Sequence, residues 1–161
     1  MPNLPISSPH PVGFSNPVTI KASAALPAAG AWDTPTIHAV AGAGSIVLSL
    51  TYTRGAAGGA FDFQVQTSIY AVAANVPAGA GEWANEAIYA PGAVVAGVDT
   101  TSLVQREFER YTSQAAAAET FTFGPIELGH VIERLRVTAR ESGVVGTPGT
   151  LAIVAELHTW S

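Results

Sequence analysis

The chain has no cysteine. That excludes a disulfide framework and thiolate chemistry, and it leaves the redox compartment open. Lysine occurs once, as Lys21, and charged residues make up only 12% of the 161 positions, about half the usual share. A net charge of −5 disfavours nucleic acid as the chain's main partner, because phosphate binding rests on clustered Lys and Arg. No apolar run reaches the roughly 18 residues of a membrane-spanning helix, so no membrane partner is expected. The first residues, MPNLPISSPHPVG, lack the basic segment and apolar core of a Sec signal peptide.

What is abundant is apolar and conformationally decisive. Hydrophobic residues make up 48% of the chain, with 16 glycines and 11 prolines. A surface this poor in charge suits a protein that lives against neighbours. A genomic bias toward alanine and arginine would give the same composition. The length fits one domain with its own core.

The most legible stretch is Ser45–Tyr70. Ile46, Leu48, Leu50 and Tyr52 alternate with Val47, Ser49, Thr51 and Thr53, and Phe61, Phe63, Val65 and Ile69 alternate with Asp62, Gln64, Gln66 and Ser68. Successive side chains of a strand point to opposite faces, so each arm has an apolar and a mostly polar face. The glycine-rich segment Gly55–Gly59 between them tolerates a reversal. The two arms read as a β-hairpin whose apolar face needs a second layer to cover it.

Similar alternation predicts strands at Val18–Ala24, Thr34–Val40, Ala87–Tyr89, Glu119–Phe123, Val131–Arg140 and Leu151–Thr159. Gly124-Pro125 should end the strand at Phe123. Pairing Ala139 with Leu151 would set Arg134 opposite Glu156. Leu103–Thr112 carries both signals, helical spacing of Val104, Phe108 and Tyr111 against a wholly β neighbourhood, and strand is the reading adopted. The predicted core is Leu48, Leu50, Phe61, Phe63, Val65, Leu135, Val137, Ile153 and Leu157. Eight or nine short strands with Gly- and Pro-rich turns (about one turn signal per strand) predict an all-β, antiparallel two-sheet sandwich over residues 18–161, with a jelly roll as the expected form.

Residues 1–17 contain Pro2, Pro5, Pro9, Pro11 and Pro17 and are read as an extended arm. Its apolar residues Leu4, Ile6, Val12 and Phe14 are candidate partner contacts, inserting into a neighbouring subunit or a shell.

Catalytic signatures are sparse. His10, His38, His130 and His158 are scattered, so the close pairs of a metal site are missing and neither metal nor cofactor is expected. Carboxylates lie near one another at Glu82/Glu86 and Glu107/Glu109, but solvated surface charge explains them more simply than a glycosidase pair. No nucleophile elbow or phosphate-binding loop occurs. Arg134, Arg136 and Arg140 share one face of a strand and could meet an acidic partner or the phosphate backbone of packaged DNA, with pairing to Glu127, Glu133 or Glu156 as the plainer alternative. Trp83, like Trp32 and Trp160, could stack on a sugar ring or simply pack.

The runs TYTRGAAGGAFDFQV (Thr51–Val65), QREFERYTSQAAAAETFTFGPIELG (Gln105–Gly129) and ERLRVTARESGVVGTPGTLAI (Glu133–Ile153) resemble small β-sandwich virion structural proteins of tailed bacteriophages, of the kind that decorate or cement capsids. The resemblance spans roughly residues 45–155, in texture and segment order. It implies a non-enzymatic protein on the capsid surface, assembling with copies of itself as a trimer and with the major capsid protein. The alternative expectation is a carbohydrate-binding sandwich of a tail or fibre that contacts host glycans.

Overall fold

The computed structural model describes residues 11–14, 17–28, 30–55, 59–85, 88–91, 103–106, 108–114, 117–143 and 145–160. The strands are β1 (Pro11–Phe14), β2 (Val18–Ala25), β3 (Ile37–Ala39), β4 (Ala43–Thr53), β5 (Ala60–Ser68), β6 (Ala84–Asn85), β7 (Ile88–Pro91), β8 (Leu103–Arg106), β9 (Glu109–Thr112), β10 (Glu119–Glu127), β11 (Arg134–Glu141) and β12 (Thr150–Trp160). The fold is all-β. Two antiparallel sheets face each other, and β7 pairs with β8 as a separate ribbon.

The first sheet runs β1-β12-β4-β10, and β2 also lies on β12. β2 covers Thr150–Ala155 and β1 covers His158–Trp160, so the two strands share one edge in line. Pro17, with no N–H to donate, lies between them, and an edge is where a proline is tolerated. The second sheet runs β3-β11-β5, with β6 and β9 sharing the far edge of β5. The pairs are nested: β2 with β12, β3 with β11, β4 with β10, β5 with β9. The chain is thus one long antiparallel ladder, doubled back between β5 and β9 and rolled so that its halves enclose the core.

This winding corrects two expected pairings. β4 and β5 do not form a hydrogen-bonded hairpin; β4 pairs with β10 and β12, and β5 with β9, β6 and β11, in the opposite sheet. Gly55 serves close approach as well as reversal, because a Cβ there would lie 1.9 Å from the Thr147 carbonyl oxygen. β11 and β12 likewise belong to different sheets, so Arg134 faces Ser68 while Glu156 faces Val47. An arch between layers buries the apolar faces of both arms against each other, which a flat hairpin leaves to a third element.

The alternation itself holds. Leu48, Leu50, Phe61, Phe63, Leu135 and Ile153 are fully buried, with Val65 and Val137 nearly so, while Leu157 is half-buried at the margin. Ile69 departs from the expected pattern: β5 ends at Ser68, Thr67 takes the inward place, and Ile69 is 54% exposed. β10 also runs past Gly124-Pro125 to Glu127, absorbing the pair through a shift in register between Phe123 and Ile126. Strands β8 and β9 flank Phe108, so the ambiguous stretch is extended rather than helical.

At one end of the core lies a polar group. The Tyr52 hydroxyl donates to both carboxylate oxygens of Glu141, at 2.8 and 3.1 Å, and the Gly149 N–H donates to Oε2 at 3.0 Å. Tyr52 and Glu141 are both fully buried. Burial and the neighbouring carboxylate push the Tyr52 phenol well above its ordinary range.

Candidate functional site

The polar faces of β5 and β11 form the outer surface of the second sheet. Their register sets Asp62 beside Arg140, Gln64 beside Thr138, Gln66 beside Arg136 and Ser68 beside Arg134. β9 adds Arg110 next to Asp62. These side chains look outward because their neighbours Phe61, Phe63, Val65, Leu135, Val137 and Ala139 occupy the core.

One cluster centres on Trp83, which precedes β6. The Arg136 guanidinium carbon lies 4.2 Å from its ring centre and that of Arg134 lies 5.1 Å away. Arg134 Nη2 donates to Glu82 at 2.7 Å, and its Nε donates to the Tyr70 carbonyl. Arg136 Nε donates to Gln66 at 2.7 Å. Burial holds the Arg136 guanidinium below its ordinary pKa, Glu82 opposes that shift, and Arg134 adds to it. Each contact of a guanidinium with an aromatic face is worth about 0.5–2 kcal/mol.

The other cluster centres on Asp62, whose side chain is 1% exposed. Arg110 Nε donates to it at 2.6 Å and Arg140 Nε at 3.0 Å. The hydrogen bond to Asp62 holds the Arg110 guanidinium above its ordinary pKa, against the effect of burial. Arg140 also lies 4.4 Å from the Trp32 ring and 5.1 Å from that of Phe108. Trp32 is held there because its neighbour Asp33 extends the sheet. Asp33 N–H donates to the Ala139 carbonyl at 2.9 Å, and Ala139 N–H returns a bond to Asp33 Oδ1 at 2.8 Å.

Of the residues singled out in the sequence, the structure brings Trp83, Arg134, Arg136 and Arg140 onto this one face. The arginines meet Glu82, Asp62, Gln66 and two tryptophans; the ion pairs of Arg134 and Arg140 are with Glu82 and Asp62 rather than Glu127, Glu133 or Glu156. Val12 and Phe14 lie on β1, against the chain's own β12. Leu4 and Ile6 lie outside the described residues.

No protein-family model, curated protein or solved structure matches this chain. The chemistry is therefore read from the geometry alone. Among the described residues the two fully buried carboxylates, Asp62 and Glu141, lie on opposite faces of the second sheet, so they do not converge on one cleft. Among the described residues no group of three or more His, Asp or Glu side chains could hold a metal ion, and no helix is long and apolar enough to cross a membrane. A cleft beside β2 contains Lys21 and Asp33, but these neutralise each other at 2.7 Å.

Sequence reasoning missed Asp62, Arg110, Phe108 and Trp32 as members of this surface. Asp62 carried a signal, since a carboxylate between Phe61 and Phe63 in a buried strand needs cationic partners. Which cations supply them depends on strand order, which alternation does not encode.

Proposed function

We propose that this chain is a non-enzymatic structural protein of a tailed-bacteriophage virion, decorating or cementing the capsid through contacts with copies of itself and with the major capsid protein. The observation that carries the reading is the nested pairing of β2–β5 with β12–β9 across two layers. We read this winding as a jelly roll, a form that viral capsid proteins share with lectins. Fold alone does not decide function. The second support is the surface: the chain is poor in charge, yet it gathers four of its arginines on one rigid sheet face. Copies joined as a trimer are what the resemblance to phage decoration proteins implies. Immunogold labelling of purified particles tests the reading, with label expected over heads and free lysate protein alone counting against it.

The lectin branch of the same fold supplies the second reading, a glycan-binding module of a tail or fibre. Its support is the half-buried pair Trp32 and Trp83 on that same face. Against it, both rings already pack against guanidinium groups. Sugar binding on a glycan array that is lost in Trp83→Ala would favour this second reading.

A further inference from the structure

The outer faces of the two sheets are opposite in charge and in relief. Among the described residues, Arg110, Arg134, Arg136 and Arg140 against Asp62 and Glu82 give the second sheet's face a formal +2. Arg136 and Arg140 stand four residues apart on β11, about 13 Å along an extended strand. Each is steadied by a tryptophan, and the Nε of each donates to Gln66 or Asp62.

The first sheet's outer face is low, formed at its centre by residues such as Ser49, Thr51, Ala152 and Val154. Among the described residues two exposed carboxylates rise from it, with half-buried His158 beside Glu156 on the same strand. Glu156 on β12 is opposite Val47 of β4, and Glu127 on β10 is opposite Ser45 of the same strand. They are two strands apart and offset by two residues, which places them about 12 Å from each other. That spacing matches the two arginines, and the short side chains between leave room for long ones to approach.

We propose that the arginine face of one copy docks on the carboxylate face of another, Arg136 and Arg140 meeting Glu127 and Glu156. This rests on the self-association in the reading above and names the surfaces that carry it. The contact is heterologous, so a docked pair keeps one free face of each kind for a further neighbour, and because the two faces lie on opposite sides of the sandwich it stacks copies in line rather than closing the trimer that the resemblance implies. Charge complementarity of this sort fixes partner and register and weakens with salt.

The test is sedimentation velocity on the whole chain and on two variants. Glu127→Arg/Glu156→Arg changes only exposed positions on one face, and Arg136→Glu reverses the other, with Arg136→Gln as the variant to use if that one fails to fold. Wild type should self-associate at low salt and dissociate at high salt. Each variant alone should bind its own kind about tenfold more weakly or worse, and an equal mixture of the two should re-associate, because each supplies the face the other lacks. A monomeric wild type, variants that assemble like wild type, or a mixture that remains monomeric would each overturn the contact. Particle labelling separates this from the function. A chain that is monomeric in solution yet occupies particles loses only this contact, and one that associates but is absent from particles loses only the virion reading.

Discussion

Replacing Tyr52 by Phe removes one oxygen from the buried end of the core, and the structure sets the consequence. The hydroxyl is fully buried and donates to both oxygens of Glu141, which is itself fully buried. The variant leaves that carboxylate with the Gly149 N–H as its remaining donor among the described residues. A hydrogen bond to a charged group is worth about 1.5–3 kcal/mol, and a buried acceptor left short of partners costs in the same range. For a chain of this size that corresponds to a fall in Tm of roughly 3–12 °C. Urea unfolding followed by tryptophan fluorescence measures it. The double variant Tyr52→Phe/Glu141→Gln separates the hydrogen bond from packing, since removing both members should cost less than the sum of the single losses. Gly149→Ala is an independent check: its Cβ would lie 2.4 Å from the Tyr52 ring and must displace it. A loss under about 0.5 kcal/mol for Tyr52→Phe, within the spread of ordinary surface substitutions, would show that this group does not tie the two sheets together.

Further outcomes follow from other parts of the molecule. Leu50→Ala opens a cavity at the centre of β4 and should cost about 2–5 kcal/mol in the same urea assay. Asp62→Ala strands two partly exposed guanidiniums and should cost about 1–3 kcal/mol, less than for a sealed ion pair because solvent screens them, and thermal unfolding would detect it. Burial raises the phenol pKa of Tyr52 and of Tyr111 in the folded state. Both phenols therefore stabilise the fold fully below the unfolded value near 10 and progressively less as pH rises beyond it, so stability should decline above about pH 10 while ultraviolet titration shows two tyrosines ionising late. Deleting residues 1–16 removes β1 from the edge of β12 and should lower stability by about 1–3 kcal/mol through its lost ladder bonds, read by thermal unfolding.

The sequence made the inward side of each strand legible, and very little about which strand lies beside which. Leu48, Leu50, Phe61 and Phe63 announced their face through alternation, because an apolar side chain has one favourable side of a sheet wherever the sheet lies. Hydrogen bonding along a strand's edges carries no comparable side-chain mark. The arms joined by Gly55–Gly59 therefore read equally well as hairpin or as arch, and the choice was made by the need to cover two apolar faces at once. The arginine face shows the same division. Its three β11 members were visible as a polar row, while Arg110, Asp62 and Trp32 joined them only through the pairing of β9 with β5 and of Asp33 with Ala139.

The most direct test of the account is quantitative mass spectrometry of gradient-purified phage particles from the source of this chain, before and after a high-salt wash. The account predicts that the chain co-sediments with the heads at a fixed ratio to the major capsid protein and that extensive washing reduces that ratio without removing every copy. A chain that remains at the top of the gradient, with none in the particle fraction, would contradict it.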